Sequence, residues 1–138
     1  METPPPSGPT PVLLAMLLCE SVITDADTQR KTLVGIFDRV IARSLPESLW
    51  MAVYARFTDA QGVYKFGLEF VDVGHDRPVG WYESRPFEIP DRLQQTEIAL
   101  RLAIPIDAPG LYEFRLYAND AYIGSSSFHV EATGQAGG

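Results

Sequence analysis

The fold is decided by residues 107–120, which read DAPGLYEFRLYAND. Pro109 and Gly110 predict a turn, and apolar and polar side chains alternate in the strand that follows. The Asn-Asp pair that ends the stretch predicts a second turn, after which residues 122–130 return as a partner strand. The stretch therefore predicts an antiparallel β-hairpin near the C-terminal end of the chain.

Two aromatic residues of this stretch indicate the kind of β fold. Tyr112 and Phe114 lie two residues apart, just after the Pro-Gly turn. Immunoglobulin-like sandwiches carry a tyrosine corner with this spacing, in which the tyrosine precedes a core cysteine by two residues. Phe114 stands at the position of that cysteine. The spacing favours an immunoglobulin-like sandwich.

The rest of the chain reads as short strands separated by turn residues. Turn signals recur roughly every 8–12 residues, and no stretch of useful length has the apolar period of an amphipathic helix. Pro86 and Pro90 predict that residues 84–94 form an irregular crossing. We predict an all-β, two-sheet antiparallel sandwich of about eight strands, immunoglobulin-like or jelly-roll-like. The predicted strands are 12–23, 32–41, 49–58, 63–73, 79–83, 96–104 and the two strands of the hairpin.

Alternate positions of these strands predict the core, because successive side chains of a strand point to opposite faces of its sheet. The inward positions change parity between Ile123 and Phe128, which predicts a β-bulge at residues 124–126. The predicted core residues are Val53, Ala55, Phe57, Tyr64, Phe66, Leu68, Phe70, Ile98, Leu100, Leu102, Tyr112, Phe114, Leu116, Phe128 and Val130.

A length of 138 residues predicts one domain. Residues 1–11 are rich in Pro, Ser, Gly and Thr, and residues 132–138 are small and polar. Neither segment has enough apolar surface to offset the entropy lost on ordering. We therefore expect a sandwich domain at 12–131, between two disordered tails at 1–11 and 132–138.

The charge of the chain limits its partners. The formal net charge is −7, and the 11 basic residues form no cluster. Binding to nucleic acid or to an anionic membrane draws on clustered Lys and Arg, so neither partner is expected. The apolar run 12–19 is too short to span a bilayer, and the start METPPPSGPTP lacks a basic signal-peptide region. We expect a cytoplasmic location of bacterial type.

Four segments of the sequence resemble a family of small bacterial all-β proteins of uncharacterised function. The resemblance covers nearly all of the expected domain, and it implies a compact sandwich with no catalytic or ligand residues to transfer. The segments are MLLCESVITDADTQRKTLVGIFDRV (16–40), VYARFTDAQGVYKFGLEFVDV (53–73), EIPDRL (88–93) and PGLYEFRLYANDAYIG (109–124).

Catalytic residue types are scarce. Cys19 is the one cysteine and lies in the most apolar predicted strand, where burial raises a thiol pKa and makes it inert. A dyad of Cys19 with His129 is conceivable if the first and last strands are neighbours, and His75 lies in a charged turn. A buried cysteine and a solvent-facing histidine is the better interpretation. We expect no enzymatic activity and no cofactor.

Asp residues at the predicted turns suggest an alternative function. If successive strands alternate in direction, alternate turns collect at one end of the sandwich, and Asp25, Asp27, Asp59 and Asp120 are expected there. Ca²⁺ takes six to eight oxygen ligands, so crowded carboxylates could hold it. Asp is also common in turns because it bonds local backbone N–H groups.

Large aromatic residues at outward positions suggest an interface. Trp50 and Tyr54 lie on the face opposite Val53 and Phe57, and Trp81 and Tyr117 are expected to point outward on later strands. Exposed aromatics often mark an interface, in which Arg56 beside Tyr54 would be an anchor. The alternatives are a covering by the 84–94 crossing, or a platform that stacks sugar rings.

The sequence therefore predicts a non-enzymatic binding or assembly module that uses a sheet face or edge for a protein partner or for self-association. The predicted interface residues are Trp50, Tyr54, Arg56, Trp81 and Tyr117. A Ca²⁺-binding or carbohydrate-binding ligand module is the alternative.

Overall fold

The computed structural model describes residues 7–133, which are almost entirely β structure. These residues contain no helix that is long and apolar enough to cross a membrane. In chain order, the elements are β1 (Val12–Cys19), β2 (Ser21–Thr24), β3 (Lys31–Val34), β4 (Arg39–Ala42), β5 (Glu47–Thr58), β6 (Gly62–Tyr64), β7 (Phe66–Asp72), a single 3₁₀ turn (Val73–His75), β8 (Arg77–Glu83), β9 (Phe87–Ile89), β10 (Thr96–Ile106), β11 (Gly110–Ala118) and β12 (Ala121–Ala132).

Eight of these strands form two sheets that pack face to face around one core. The first sheet has three strands in the order β1-β5-β10, and the second has five in the order β4-β12-β11-β7-β8. The remaining strands form two small pairs, β2–β3 and β6–β9. The two-sheet sandwich of about eight main strands is confirmed.

The strand order identifies the sandwich as immunoglobulin-like rather than a jelly roll. Immunoglobulin domains place strands A, B and E in one sheet, and C, F and G in the other. Here β1, β5 and β10 take the places of A, B and E, while β7, β11 and β12 take those of C, F and G. β8 follows as C′. One strand pair differs from the predicted antiparallel arrangement: β4 and β12 are parallel.

The tyrosine corner is present. The Tyr112 hydroxyl donates a hydrogen bond to the Ala108 carbonyl at 2.6 Å, and the side chain is buried. Burial raises the pKa of Tyr112, so the hydroxyl keeps its proton. Phe114, also buried, packs against Phe70 and Phe128 with ring centroids 4.9 and 6.1 Å apart. An aromatic ring thus occupies the place of one cysteine of the core disulfide.

Two predicted strands are broken in the structure. The 12–23 run is interrupted at Glu20, and the 32–41 run is interrupted between Val34 and Arg39. Gly35 has φ +67° and passes so close to Glu20 that a Cβ there would lie 2.8 Å from the carboxyl carbon. The backbone turns sharply at this point. The inner halves of the two runs therefore pair with each other as the β2–β3 hairpin, while β1 and β4 join the main sheets.

The other boundaries differ in smaller ways. The 84–94 crossing contains β9, which pairs with β6, and Phe87 of β9 stacks on Phe66 at 5.4 Å. The predicted 63–73 strand divides at Lys65 into β6 and β7. The β-bulge lies at Ile123, one residue before the predicted range, because Leu116 faces Gly124 while Tyr117 faces Tyr122.

The predicted tails extend too far into the chain. Ser7 exchanges two backbone hydrogen bonds of 2.9 Å with Val63, and the Pro9 carbonyl accepts a 2.7 Å bond from the Tyr64 hydroxyl. At the other end, β12 continues to Ala132. The rest of the predicted tails, residues 1–6 and 134–138, lies outside the described residues.

The predicted core is correct except on β10. Twelve of its fifteen residues are buried, but Ile98 and Leu102 are half-buried and Leu100 is 39% exposed. All three point inward, since Leu100 faces Val53 across the β5–β10 pair. They are exposed because β10 is the edge strand of its sheet.

Candidate functional site

The predicted interface residues divide between the two outer faces of the sandwich. Trp50, Tyr54 and Arg56 lie on β5, in the three-stranded sheet. Trp81 lies on β8 and Tyr117 on β11, both in the five-stranded sheet. The structure therefore does not bring the five residues together into one surface.

The middle of the first outer face is covered. Tyr54 is only 7% exposed and Ala52 only 2%, because the β2–β3 hairpin lies against this part of β5. The Tyr54 hydroxyl bonds the Glu97 carboxylate, which also forms a 3.1 Å ion pair with Arg56. Burial and the bond to Glu97 raise the pKa of Tyr54. Arg56, predicted as an interface anchor, is already engaged within the chain.

Trp50 remains exposed at the other end of this face. Its side chain is 61% exposed, and the Arg101 guanidinium of β10 lies over the ring, 4.7 Å from the centroid. An exposed cation–π contact of this kind stabilises by roughly 0.5–1 kcal/mol. The alternative of a covering by the 84–94 crossing does not apply to Trp50, and the crossing does not bury Trp81, which is 46% exposed.

The second outer face carries an aromatic ridge formed by Trp81, Tyr117 and Tyr122. The Trp81 and Tyr117 rings are 5.5 Å apart, and the Tyr117 and Tyr122 rings are 5.7 Å apart. Trp81 lies over Gly67, where a Cβ would be 2.3 Å from the indole. Its Nε1 donates to Glu83 at 2.9 Å. The rings are inclined to one another by 52° and 63°, so the ridge does not present one flat plane.

An edge groove opens between the two sheets on the side of β8 and β10. Its volume is 490 Å³, within the range of about 300–1,000 Å³ that is typical of ligand sites. The lining is mainly apolar and comes from both sheets. It includes Phe66, Leu68, Phe87, Ile98, Leu100 and Leu102.

The edge groove lies where an immunoglobulin sheet normally has one more strand. In constant-type domains a fourth strand, D, lies beside E in the A-B-E-D sheet. Here β9 precedes β10 in the chain, as D precedes E, but it pairs with β6. The side of β10 away from β5 therefore has no strand partner among the described residues. We call this side the β10 edge.

Pro105 shows which backbone groups face the β10 edge. The β5–β10 register is continuous from Thr96 to Ile106, with Pro105 opposite Ser48. Proline has no N–H, so within a sheet it takes a position that faces away from the partner strand. Alternate residues point the same way, which places the N–H and C=O of Ala99 and Arg101 on the β10 edge.

The candidate catalytic residues do not form a site. Cys19 is buried on β1, its thiol bonds the Ser21 carbonyl at 3.4 Å, and burial raises its pKa. His129 is exposed on β12, and no hydrogen bond among the described residues joins it to the thiol, so the two residues do not form the conceivable dyad. A raised pKa leaves the thiol protonated and a poor nucleophile.

A buried carboxylate holds the connection between β7 and β8. Asp72 is 2% exposed and bonds the His75 imidazole at 2.9 Å and the Arg77 guanidinium at 3.3 Å. It also accepts the His75 backbone N–H at 3.2 Å. Burial alone raises the pKa of Asp72, but these bonds outweigh it and hold the pKa below its usual value. The group acts as a structural anchor for the start of β8.

The predicted metal ligands are not brought together. Asp25 bonds the backbone N–H groups of Asp27 and Thr28, which lowers its pKa. Asp59 faces Arg92 at 3.9 Å, and Asp120 lies in the β11–β12 turn. Among residues 7–133, no group of three or more acidic, His or Cys side chains is arranged to hold a metal ion.

Sequence reasoning missed both the edge groove and the β10 edge. Leu100 was predicted as an ordinary core residue, because the alternation of apolar residues is the same in an inner strand and in an edge strand. The signal that could have found the edge is the pair Pro86 and Pro90, which leaves room for only a short strand before β10.

The fold and its open edge define an immunoglobulin-like β-sandwich domain in which no strand of residues 7–133 takes the fourth place of one sheet. The chain belongs to a family of unknown function, DUF6941, whose family model matches residues 14–131. No curated protein has a sequence that matches this chain.

Several solved structures are similar to the chain. The alkylpurine DNA glycosylase AlkC of Pseudomonas fluorescens, bound to DNA containing an abasic site analog, is 16% identical with a TM-score of 0.51. That match covers 69% of this chain but only 28% of the glycosylase. At this identity the likeness concerns the fold alone.

Two further matches have lower TM-scores. The β-glucosidase of Listeria innocua in complex with glucose is 14% identical, with a TM-score of 0.43, covering 85% of this chain and 16% of the enzyme. An immunoglobulin-like protein of Pseudomonas aeruginosa, PA1606, is 14% identical, with a TM-score of 0.42, covering 83% of this chain and 91% of that protein.

Proposed function

We propose that this chain is a non-enzymatic protein-binding module that takes up an extended segment of a protein partner along the β10 edge. The observation that carries the proposal is the vacant place of the fourth strand beside β10, with the apolar edge groove next to it. An added strand gains affinity from backbone hydrogen bonds and selectivity from the side chains that enter a neighbouring pocket.

The two surfaces at the β10 edge match the two faces of such a strand. On the inner side, Ile98, Leu100 and Leu102 expose apolar surface to the edge groove. On the outer side, Ala99 and Arg101 are exposed and present small and charged groups. A segment with alternating apolar and polar residues would bury its apolar side chains in the groove, at about 25 cal/mol per Å² of apolar surface removed from water.

The chemistry of the rest of the chain supports a binding role over catalysis. The single thiol is buried and protonated, and the buried carboxylate Asp72 is occupied by His75 and Arg77. The net charge of −7 favours a protein partner over nucleic acid or an anionic membrane. We extend the proposal to a cytoplasmic location.

Carbohydrate binding at the aromatic ridge has less support. Sugar rings stack best on flat aromatic faces that are open to solvent. In the ridge, Trp81 and Tyr117 are inclined by 52°, and Tyr117 and Tyr122 pack edge to face at 63°. Calcium binding has no carboxylate cluster to support it in the described part of the chain.

Selection from a library of random extended peptides tests the proposal. Selected peptides are expected to bind wild type and Ala99→Val equally, because valine keeps the backbone N–H that faces the β10 edge. Ala99→Pro removes that N–H and is expected to weaken binding at least about tenfold, as one lost hydrogen bond of about 1.4 kcal/mol would.

A second variant tests the edge groove. Leu100→Ser leaves the backbone hydrogen-bonding groups unchanged but makes the groove more polar. It is therefore expected to lower the affinity for the same peptides. Binding that withstands both Ala99→Pro and Leu100→Ser, or a library that yields no binder at all, would overturn the proposal.

A further inference from the structure

We propose that the strand which fills the β10 edge is β10 of a second copy of this chain, paired antiparallel about a two-fold axis at Ala99. This inference rests on the proposed function, because it names the occupant of the same edge. Closed two-fold dimers are the commonest assemblies of identical chains, and their interface must be complementary to itself. The sequence of β10 has this property.

The charges of β10 are arranged symmetrically about Ala99. Glu97 precedes it by two residues and Arg101 follows it by two. A two-fold antiparallel pair places each residue before the axis opposite the one that lies equally far after it. Glu97 would then face Arg101 of the partner subunit, and the same pair would recur on the other side of the axis. Opposite charges directly across a strand pair are stabilising.

The backbone and the inner face agree with the same register. The N–H and C=O groups of Glu97, Ala99 and Arg101 all point to the β10 edge, so the pairing would form about six backbone hydrogen bonds. On the inner side, Ile98 would face Leu100 of the partner subunit. The two edge grooves would thus become continuous and bury each other's apolar lining.

Neighbouring registers lack this complementarity. The backbone pattern allows shifts that move the axis by one residue, to position 98 or 100. With the axis at 98, Glu97 faces an alanine and Arg101 faces a glutamine, while at 100 both charged residues face alanines. The register centred on Ala99 is therefore the one that pairs opposite charges, and it fixes the proposed interface.

Both charged groups have capacity for a partner. The bonds that Glu97 makes to Tyr54 and Arg56 use Oε2, and no bond within the described residues uses Oε1. The Arg101 side chain is exposed and held over Trp50, which orients it on the outer face. Trp50 lies on β5, so the Arg101 side chain would turn from that ring toward the β10 edge to meet Glu97 of the partner subunit.

Sedimentation of charge-reversal variants tests the inference. Wild type is expected to dimerise within the micromolar range. Arg101→Glu and Glu97→Arg each place like charges across the pair and are expected to weaken the dimer at least about tenfold. An equimolar mixture of the two variants is expected to dimerise again, because each acidic position then faces a basic one. Arg43→Glu, an exposed change of the same charge in the β4–β5 loop and outside the paired segment 97–101, is the control and is expected to dimerise like wild type.

Cross-linking checks the axis without altering the charges or the Glu97 bonds. Ala99→Cys places two thiols at the axis, about 5.5 Å apart at the Cα atoms, so a short bis-maleimide is expected to link them. Ala103→Cys is the control, because its two copies would lie about 27 Å apart along the strands. The native thiol is buried on β1 and does not compete.

The outcomes separate this inference from the proposed function. A wild-type monomer throughout the micromolar range would overturn self-pairing, while peptides that bind and are sensitive to Ala99→Pro would still support the edge as a binding site. A dimer that withstands Arg101→Glu and cross-links equally well through Ala103→Cys would also overturn it, because the interface would then lie elsewhere.

Discussion

The two edge strands that flank the groove differ in how well they are protected from pairing. β8 has seven residues, begins with Arg77 and Pro78, and is bulged at Val79, because Phe70 faces Gly80 while Val71 faces Pro78. β10 has eleven residues in continuous register, and its proline, Pro105, stands near the end. Short length, bulges and proline are the usual devices that prevent edge pairing.

The other two outer edges of the main sheets resemble β8 rather than β10. β4 has four residues, and β1 is bulged between Leu13 and Ala15. Natural sheets disfavour long, regular, unprotected edges because such edges aggregate. An edge that keeps these features beside an apolar groove is best explained by a partner strand, and the contrast with β8 can be tested on stability as well as on binding.

The largest expected effect distinguishes the two sides of β10. Leu100→Pro removes an N–H that points toward β5, so we expect a loss of about 3 kcal/mol in the free energy of unfolding, the upper end of the cost of an unmade buried hydrogen bond. Ala99→Pro removes an N–H that points to the β10 edge and is expected to cost less than about 0.5 kcal/mol. Urea denaturation of dilute protein measures both. Equal losses would mean that the alternation inferred from Pro105 is wrong.

The next effect concerns the anchor of β8. Asp72→Asn removes the charge that bonds His75 and Arg77, and we expect a loss of about 2 kcal/mol, typical of hydrogen bonds to charged groups. Asp107→Asn is the matched control, because Asp107 is exposed and 3.7 Å from Arg77. The control is expected to stay within about 0.5 kcal/mol of wild type.

The same carboxylate predicts a pH dependence. The folded pKa of Asp72 lies below its usual value, so its contribution is fully present above the unfolded pKa of about 3.9 and is lost as pH falls through the folded pKa. Wild type is expected to lose stability relative to Asp72→Asn below about pH 4. Denaturation at several pH values between neutral and acidic measures this difference. Stability that falls in parallel for the two proteins would mean that folding does not lower the pKa of Asp72, and a gain of wild type over Asp72→Asn in acid would mean that the sign is reversed.

A smaller effect tests how β8 is held. Gly67→Ala places a methyl group where the Trp81 indole now lies, and we expect a loss of about 1 kcal/mol, at the low end for overpacking. Gly74→Ala makes the same change where the nearest atom is 3.7 Å away, and it is expected to cause no such loss. Trp fluorescence is expected to red-shift in Gly67→Ala as Trp81 is displaced toward water. An unshifted spectrum would contradict the close approach.

The smallest effect is at Trp50. Trp50→Ala removes the surface on which Arg101 lies, and we expect a loss of about 0.5 kcal/mol in stability, the lower value for an exposed cation–π contact. If Arg101 needs this support at the β10 edge, dimerisation is expected to weaken as well. Trp50→Phe, which keeps an aromatic face, is the control measured by sedimentation and denaturation.

Local chemistry explains what could be predicted from the sequence. The Pro-Gly and Asn-Asp turns and the Tyr112–Phe114 spacing depend on adjacent residues, and the structure confirms the hairpin and the tyrosine corner. The period of two predicted fifteen core residues, and twelve of them are buried. These features are readable because turn residues and side-chain alternation act over a few positions.

What could not be predicted depends on contacts between distant segments. Alternation shows on which face of its own sheet Trp50 or Trp81 lies, but not in which sheet, so the aromatic residues of two opposite surfaces were grouped as one. The sharp turn at Gly35, caused by its approach to Glu20, adds a hairpin that changes the ends at which later turns lie. With this extra hairpin, alternate turns no longer collect at one end of the sandwich, which was the reason for expecting the four aspartates to lie together.

Because Phe114 stands in the place of a core cysteine, the stability of the domain should not depend on whether the solution is reducing or oxidising. Its ring packs with Phe70 and Phe128 in the core between the sheets, whereas the lone cysteine is buried on β1 with no second cysteine in the chain. The two sheets are therefore held together by dispersion and by apolar burial, which reducing agents do not affect. The domain should refold equally well with or without dithiothreitol, unlike relatives of its fold that are fastened by a covalent bridge.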